Sequence, residues 1–158
     1  MIAHYTPPGI YCAIKKLRPD VAGIEYAETG YQKWIATDVR SLRVYHWKTR
    51  QAAWKGITDL IKHGHVLAVG IAQIKTSQFR VYHVTLATAL DPCGAAHALS
   101  NALQKNLSWA AGAGFGPGKE FAAAASGYTS GQLIPKNLQT AAYVQEAIYG
   151  RARYLHRL

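Results

Sequence analysis

Arg18-Pro19-Asp20-Val21-Ala22-Gly23-Ile24-Glu25-Tyr26-Ala27-Glu28-Thr29-Gly30-Tyr31 decides how the rest of the chain is read. Pro19 suits the first helical position and Gly30 suits a helix end, so the spacing predicts a short helix over 19–29. Val21, Ile24 and Glu28 are three and four residues apart and share one face, while Ala22 and Tyr26 occupy the other. A helix apolar nearly all round is a buried one. A carboxyl group in the last turn of such a helix is costly to ionise. Burial raises its pKa, and the negative end of the helix dipole pushes the same way. Glu28 is then a general acid that keeps its proton at neutral pH, unless it swings its head into water at the helix end.

Upstream, residues 1–17 form a proline-rich entry and a basic patch in which Ile10, Tyr11, Ala13, Ile14 and Leu17 suggest a short packed turn or helix. Downstream, residues 39–47 mix β-branched, aromatic and charged residues, the pattern of a short strand or hairpin. Thr49 can cap a helix from Arg50 to about His63, with Ala53, Trp54, Ile57, Leu60 and Ile61 as its apolar stripe and Gly64 as its stop. The run from His65 to Lys75 is apolar apart from Gly70 and Gln73. A buried glutamine needs partners, because an unsatisfied amide costs roughly 1–3 kcal/mol. Gln73 is suited to gripping an N-acetyl or hydroxyl group, and equally to bonding the backbone of a core. Asp91-Pro92 starts a further helix ending near Asn106. Residues 107–118 read as a loose glycine-rich segment, Phe121 to Ser126 as a short helix, and Leu138 to about Arg153 as the last one.

Among 158 residues, 49% are hydrophobic and 16% charged, which fits one domain with a real core and excludes wholesale disorder. The net charge of +10 favours a polyanionic partner: nucleic acid, anionic lipid or acidic cell-wall polymer. The basic residues are spread over the chain, which points to a positive surface and not to a dedicated nucleic-acid arm. No run reaches the roughly 20 apolar residues of a membrane span. No signal peptide is visible at the start, so the chain is cytoplasmic or has lost an export signal. Metal and cofactor motifs are not seen: His63 and His65 are two apart, and no His-Glu-x-x-His or phosphate-binding loop occurs. Cys12 and Cys93 are too few for a disulfide scaffold. Composition favours two unpaired buried residues, whereas a bridge between them would close a long loop.

Four segments occur in order: Glu28-Thr29-Gly30, Gly70-Ile71-Ala72-Gln73-Ile74, Asp91-Pro92-Cys93, and Ser126-Gly127-Tyr128-Thr129-Ser130-Gly131. This series resembles the soluble lytic transglycosylases of lysozyme-like fold, and most of all the small ones that accompany type IV secretion and conjugation systems. The similarity spans roughly Cys12 to Gly150. It implies an α+β, mostly α architecture with a small β/loop region between helices, a single catalytic domain over 1–158 with its core at about 12–150. It also implies that Glu28 is the sole catalytic acid/base, that Thr29 helps to orient it, that Gln73 and Ile74 line the sugar cleft, and that Tyr128 sends its hydroxyl towards Glu28 or the sugar. Thr29, Gln73, Ile74 and Tyr128 are thus the expected substrate-binding residues. By the same resemblance Cys12 and Cys93 form a disulfide, which places the chain in the periplasm or another exported setting. The chain departs from the family pattern at Ala72, where the family has Met, and at Lys75 and Thr129, where it has Asn.

The function implied is cleavage of the MurNAc–GlcNAc β-1,4 bond of peptidoglycan with formation of 1,6-anhydro-MurNAc, opening the wall locally for a secretion or conjugation apparatus. The expected partners are glycan strands and secretion-system proteins, with no specific nucleic acid and no cofactor, and the chain is expected to be a monomer. One alternative is a hydrolysing, phage-type muramidase with Asp38 as the second carboxylate, since ordinary glycosidases need two about 5–10 Å apart. Another, motivated by the three departures, is a catalytically degenerate peptidoglycan-binding assembly module.

Overall fold

Val21, Ala22 and Ile24 are fully buried, as a helix apolar on every side requires. In the computed structural model, which describes Cys12 and residues 18–156, this helix is α1 (Arg18–Thr29). Gly30 follows it at φ +58°. α1 packs chiefly against the last helix, α6 (Leu138–Leu155), and two glycines set how close they come. A Cβ on Gly23 would sit 2.5 Å from the Ala147 carbonyl oxygen, and one on Gly150 would sit 2.5 Å from Tyr26 Cβ. Arg151 ties the pair further by ion-pairing with Asp20.

Between α1 and the later helices lies a four-stranded antiparallel sheet made of β1 (Ile35–Asp38), β2 (Val44–His46), β3 (Leu67–Val69) and β4 (Ile74–Lys75), in the order β2-β1-β3-β4. The architecture is α+β and mostly α, with a small β region between helices, two of whose strands, β3 and β4, come from the apolar run 65–75. The hairpin is formed by 35–46 instead of 39–47: the stretch 39–43 is its loop, because Asp38 accepts hydrogen bonds from the N–H groups of Arg40 (2.9 Å) and Ser41 (2.7 Å) and turns the chain there. Thr37 pairs with both Val44 and Ala68, and Ala68 with Lys75. Directly opposed residues share a face, so these four form one row across the sheet.

α2 (Arg50–Lys62) follows β2, with the Thr49 hydroxyl accepting the Ala52 N–H as its N-cap. Of its expected stripe, Ala53 and Ile57 are buried, but Trp54 and Ile61 are exposed. The structure adds a short α3 (Leu86–Leu90) that the sequence reading lacked. α4 (Pro92–Gly112) starts as expected, with the Asp91 carboxylate accepting the Gly94 N–H, but it runs six residues beyond Asn106. Ala110, buried in line with Leu99, Ala102 and Leu103, holds those extra turns. α5 (Glu120–Ser130) likewise outlasts the expected Ser126, ending at Gly131 with φ +73°. The basic entry segment expected to pack as a turn or helix lies outside the described residues, except for Cys12.

Cys12 and Cys93 are disulfide-bonded, with a sequence separation of 81. The bond joins the N-terminal region to the first turn of α4. A loop that long removes about 4–5 kcal/mol of unfolded-state entropy in the chain-entropy account.

Candidate active site

α1 ends with its last turn over the open face of the sheet, and a groove of about 380 Å³ runs there. That volume lies within the range of about 300–1,000 Å³ usual for small-ligand sites. Glu28 from α1, Thr37, Ala68 and Lys75 from the sheet row, Gln73 from the β3–β4 connection, Ile74 from the start of β4, and Tyr128 from α5 line it, with Tyr82 beside them. Glu28 is the one carboxylate among the described residues that line it.

The Glu28 side chain is partly buried and accepts a hydrogen bond of 2.7 Å from the Tyr143 hydroxyl of α6. Burial pushes its pKa up to about 7, against the opposing pull of the Tyr143 hydrogen bond and the Lys75 charge. The first of these effects penalises the anion; the other two favour it. The group is therefore poised where a proton can be both given and retrieved near neutral pH.

The loop before β4 is shaped by two left-handed residues, Gly70 at φ +75° and Gln73 at φ +49°. Gly70 has no alternative, because a Cβ would run into the Ala89 carbonyl oxygen. Gln73 donates its side-chain N–H to the Gly70 carbonyl (3.0 Å) and so bonds backbone, while its side chain also lines the groove. Ile74 is buried where it borders the groove.

Two expected roles take a different form. Thr29 is buried and does not line the groove; its hydroxyl lies 3.1 Å from the Ile71 carbonyl oxygen and 3.2 Å from that of Glu25. It pins the end of α1 to the loop that carries Gln73, and so acts on Glu28 only through the backbone. Tyr128 donates its hydroxyl to the Ala72 carbonyl (2.9 Å) and not to Glu28. The partner that does reach Glu28 is Tyr143, 115 residues away in sequence, for which no local pattern exists. Tyr128 and Tyr143 both have pKa values raised well above the usual phenol value, chiefly by burial, so both serve as neutral donors.

Glu25 is a second residue the sequence reading passed over. It lies one turn before Glu28 on the same side of α1, is 0% exposed, and neither carboxyl oxygen has a hydrogen-bond partner. Desolvation raises its pKa to about 8. Its spacing of three from Glu28 was the available signal.

Asp38 differs from both. Its carboxylate accepts the Arg40 and Ser41 N–H groups and pairs with His65 Nδ1 at 2.5 Å. The Ser41 backbone hydrogen bond, followed by the His65 contact, holds its pKa below the usual aspartate value. It is engaged in shaping the hairpin and does not line the groove.

No protein-family model, curated protein or solved structure matches this chain. The groove and its single acid therefore carry the functional argument. Among the described residues no helix is long and apolar enough to cross a membrane.

Proposed function

We propose that this protein is a peptidoglycan lytic transglycosylase with a lysozyme-like domain. The observation that carries the reading is Glu28, the one carboxylate among the described residues lining a sugar-sized groove, with a pKa raised to about 7. A single acid that can both hold and release its proton near neutral pH fits a reaction in which substrate, and not a second carboxylate, supplies the nucleophile.

In that reaction Glu28 gives its proton to the glycosidic oxygen as the C1–O bond breaks, releasing the GlcNAc hydroxyl. The resulting carboxylate takes the proton of the muramic acid C6 hydroxyl. O6 then closes on C1 to form the 1,6-anhydro ring, and the acid is regenerated without water. Tyr143 holds the carboxyl group and stabilises its anionic form through the middle of the cycle. Gln73 presents an amide suited to the N-acetyl group, and Tyr128 braces the wall that carries it.

The hydrolytic alternative loses support because Asp38 has its oxygens occupied and its pKa lowered by structural donors. Lys75, which stands where the resembled family has Asn, lowers the Glu28 pKa without removing the acid. That supports an active enzyme over a degenerate wall-binding module. The disulfide supports an oxidising, exported setting such as the periplasm, where local wall opening for a secretion or conjugation apparatus would take place. The test is digestion of purified sacculi: anhydro-muramic ends detected by mass spectrometry with the unmodified chain and absent with Glu28→Gln. Reducing ends without anhydro sugar would transfer the reading to a muramidase.

A further inference from the structure

The row of the sheet that alternates with Thr37, Ala68 and Lys75 is buried at Ala36, Val69 and Ile74, but at its β2 edge it carries a second cluster of aromatic side chains. Tyr45 pairs with Ala36, one residue out of phase with the groove row of Thr37 and Val44, so it points to the opposite side. Trp47 follows two residues later, continues the pairing by donating its N–H to the Trp34 carbonyl (3.0 Å), and stacks on Tyr45 with ring planes 13° apart and centroids 6.0 Å apart. The Arg43 guanidinium caps the stack 5.0 Å from the Tyr45 ring centre.

The Trp47 indole lies against α2. A Cβ on Gly56 would come within 2.6 Å of its Nε1 and 2.7 Å of its ring carbons. Glycine inside a helix costs about 1 kcal/mol relative to alanine, and here the absent methyl makes the bed for the ring. Beside the indole is a recess of about 620 Å³ lined by Trp47, Trp54, Lys55, Thr58, Asp59 and Lys62. Trp54 is 44% exposed although its neighbours Ala53 and Ile57 are fully buried. The core does not use it.

Two indoles bordered by ammonium, hydroxyl and carboxylate ends make a surface of one chemical kind. The apolar C–H face of a pyranose lies on an aromatic plane, and the ring's hydroxyl and acetamido groups take hydrogen bonds from the rim. A protein-docking patch of this size would instead carry an apolar centre with a depleted charge content. Lys55 and Lys62 outnumber Asp59 in the recess, and the exposed Lys48 adjoins Trp47, so carboxylates on the ligand are complemented.

We propose that this recess is a second, non-catalytic saccharide site that holds a carboxylate-bearing strand of N-acetylated amino sugars. It anchors the protein to one strand while the groove on the other face of the sheet works on another. The identity of the polymer rests on the transglycosylase reading; the capacity to bind amino sugars does not.

The experiment uses the full chain carrying Glu28→Gln, labelled at the tryptophan indoles with ¹⁵N and titrated with chitotetraose. The Trp47 and Trp54 signals are expected to shift saturably while that of Trp109 stays. Trp54→Ala, a change at an exposed position, is expected to lower retention on purified sacculi about tenfold, which is about 1.4 kcal/mol. Trp54→Phe is expected to recover most of it, and turnover of short soluble glycans is expected to stay unchanged in both variants. Unmoved indole signals, unchanged retention, or indole shifts that follow protein concentration instead of sugar would each overturn the proposal, the last by assigning the face to self-association. Missing anhydro ends with the unmodified chain would remove the catalytic reading alone, because the chitotetraose titration does not depend on it.

Discussion

Glu28 at the end of α1 and Asp38 at the end of β1 are both withdrawn from water, yet their acidities are displaced in opposite directions. Asp38, only 3% exposed, receives two backbone N–H groups and an imidazole, and these hold it as an anion. Glu28 receives one phenol hydroxyl and the more distant influence of Lys75, too little to offset its loss of hydration. What separates the two carboxyl groups is which influence dominates: hydrogen bonds from the Ser41 N–H and His65 at Asp38, and loss of hydration at Glu28. Glu25 is the limiting case, with no hydrogen-bond partner on either oxygen and a pKa raised further than that of Glu28.

The sharpest way to break this contrast is to neutralise each carboxylate in turn. Glu28→Gln is expected to lower anhydro-product formation by about 10²–10⁴-fold, the range of general acid–base catalysis, without lowering the unfolding midpoint. Asp38→Asn is expected to do the reverse: turnover per folded molecule within a few-fold of the unmodified chain, and a lower urea midpoint at pH 7. Comparable losses of turnover in both, with Asp38→Asn still folded, would restore the two-carboxylate mechanism. The same aspartate has a pH signature. Its folded pKa is depressed, so its contribution is present above the unfolded value near 3.8 and is lost as pH falls below it. Acid unfolding of Asp38→Asn should lack that component.

Glu25 extends the comparison to stability at higher pH. Below about pH 4.5 folded and unfolded chains both keep this proton; between there and about 8 only the folded chain does. Stability should therefore fall with rising pH by up to about 1.4 kcal/mol per unit in that window. Glu25→Met replaces the unpaired group by an apolar one of similar length and removes this titration, so its stability relative to the unmodified chain should be greater at pH 8 than at pH 4.5, as read by urea unfolding at the two pH values.

The smallest expected effects are shifts of the pH–rate profile. A general acid must be protonated, so turnover should be full below about pH 7 and decline above it. Tyr143→Phe and Lys75→Met each remove an influence that lowers the Glu28 pKa. Both should move the declining limb to higher pH, and Tyr143→Phe should also lower the plateau by loosening the carboxyl group. A limb that stays in place in both variants would show that a different group titrates.

Much of this arrangement is legible in local pattern. Pro19 and Gly30 bound α1, Thr49 and Asp91 cap their helices, and the apolar circumference of α1 announces its burial. Each of these is a statement about residues within a few positions of one another. The errors fall where a distant contact overrides the local signal. α4 passes Asn106 because Ala110 finds a buried seat, and the hairpin shifts because Asp38 gathers the loop after it. Tyr143 was invisible because nothing near it in sequence marks it as the partner of a helix 115 residues away.

By itself, then, the chain determined where all its described helices but α3 begin, that one of them is buried, and that this helix carries an acid at its end; these follow from periodicity and caps, which act over one turn. Only the folded molecule decided which acid keeps its proton near pH 7, which lies idle in the core, and which is held ionised. Acidity depends on donors and solvent within a few ångströms, and the donors come from α6, the sheet and the β1–β2 loop, brought together by packing.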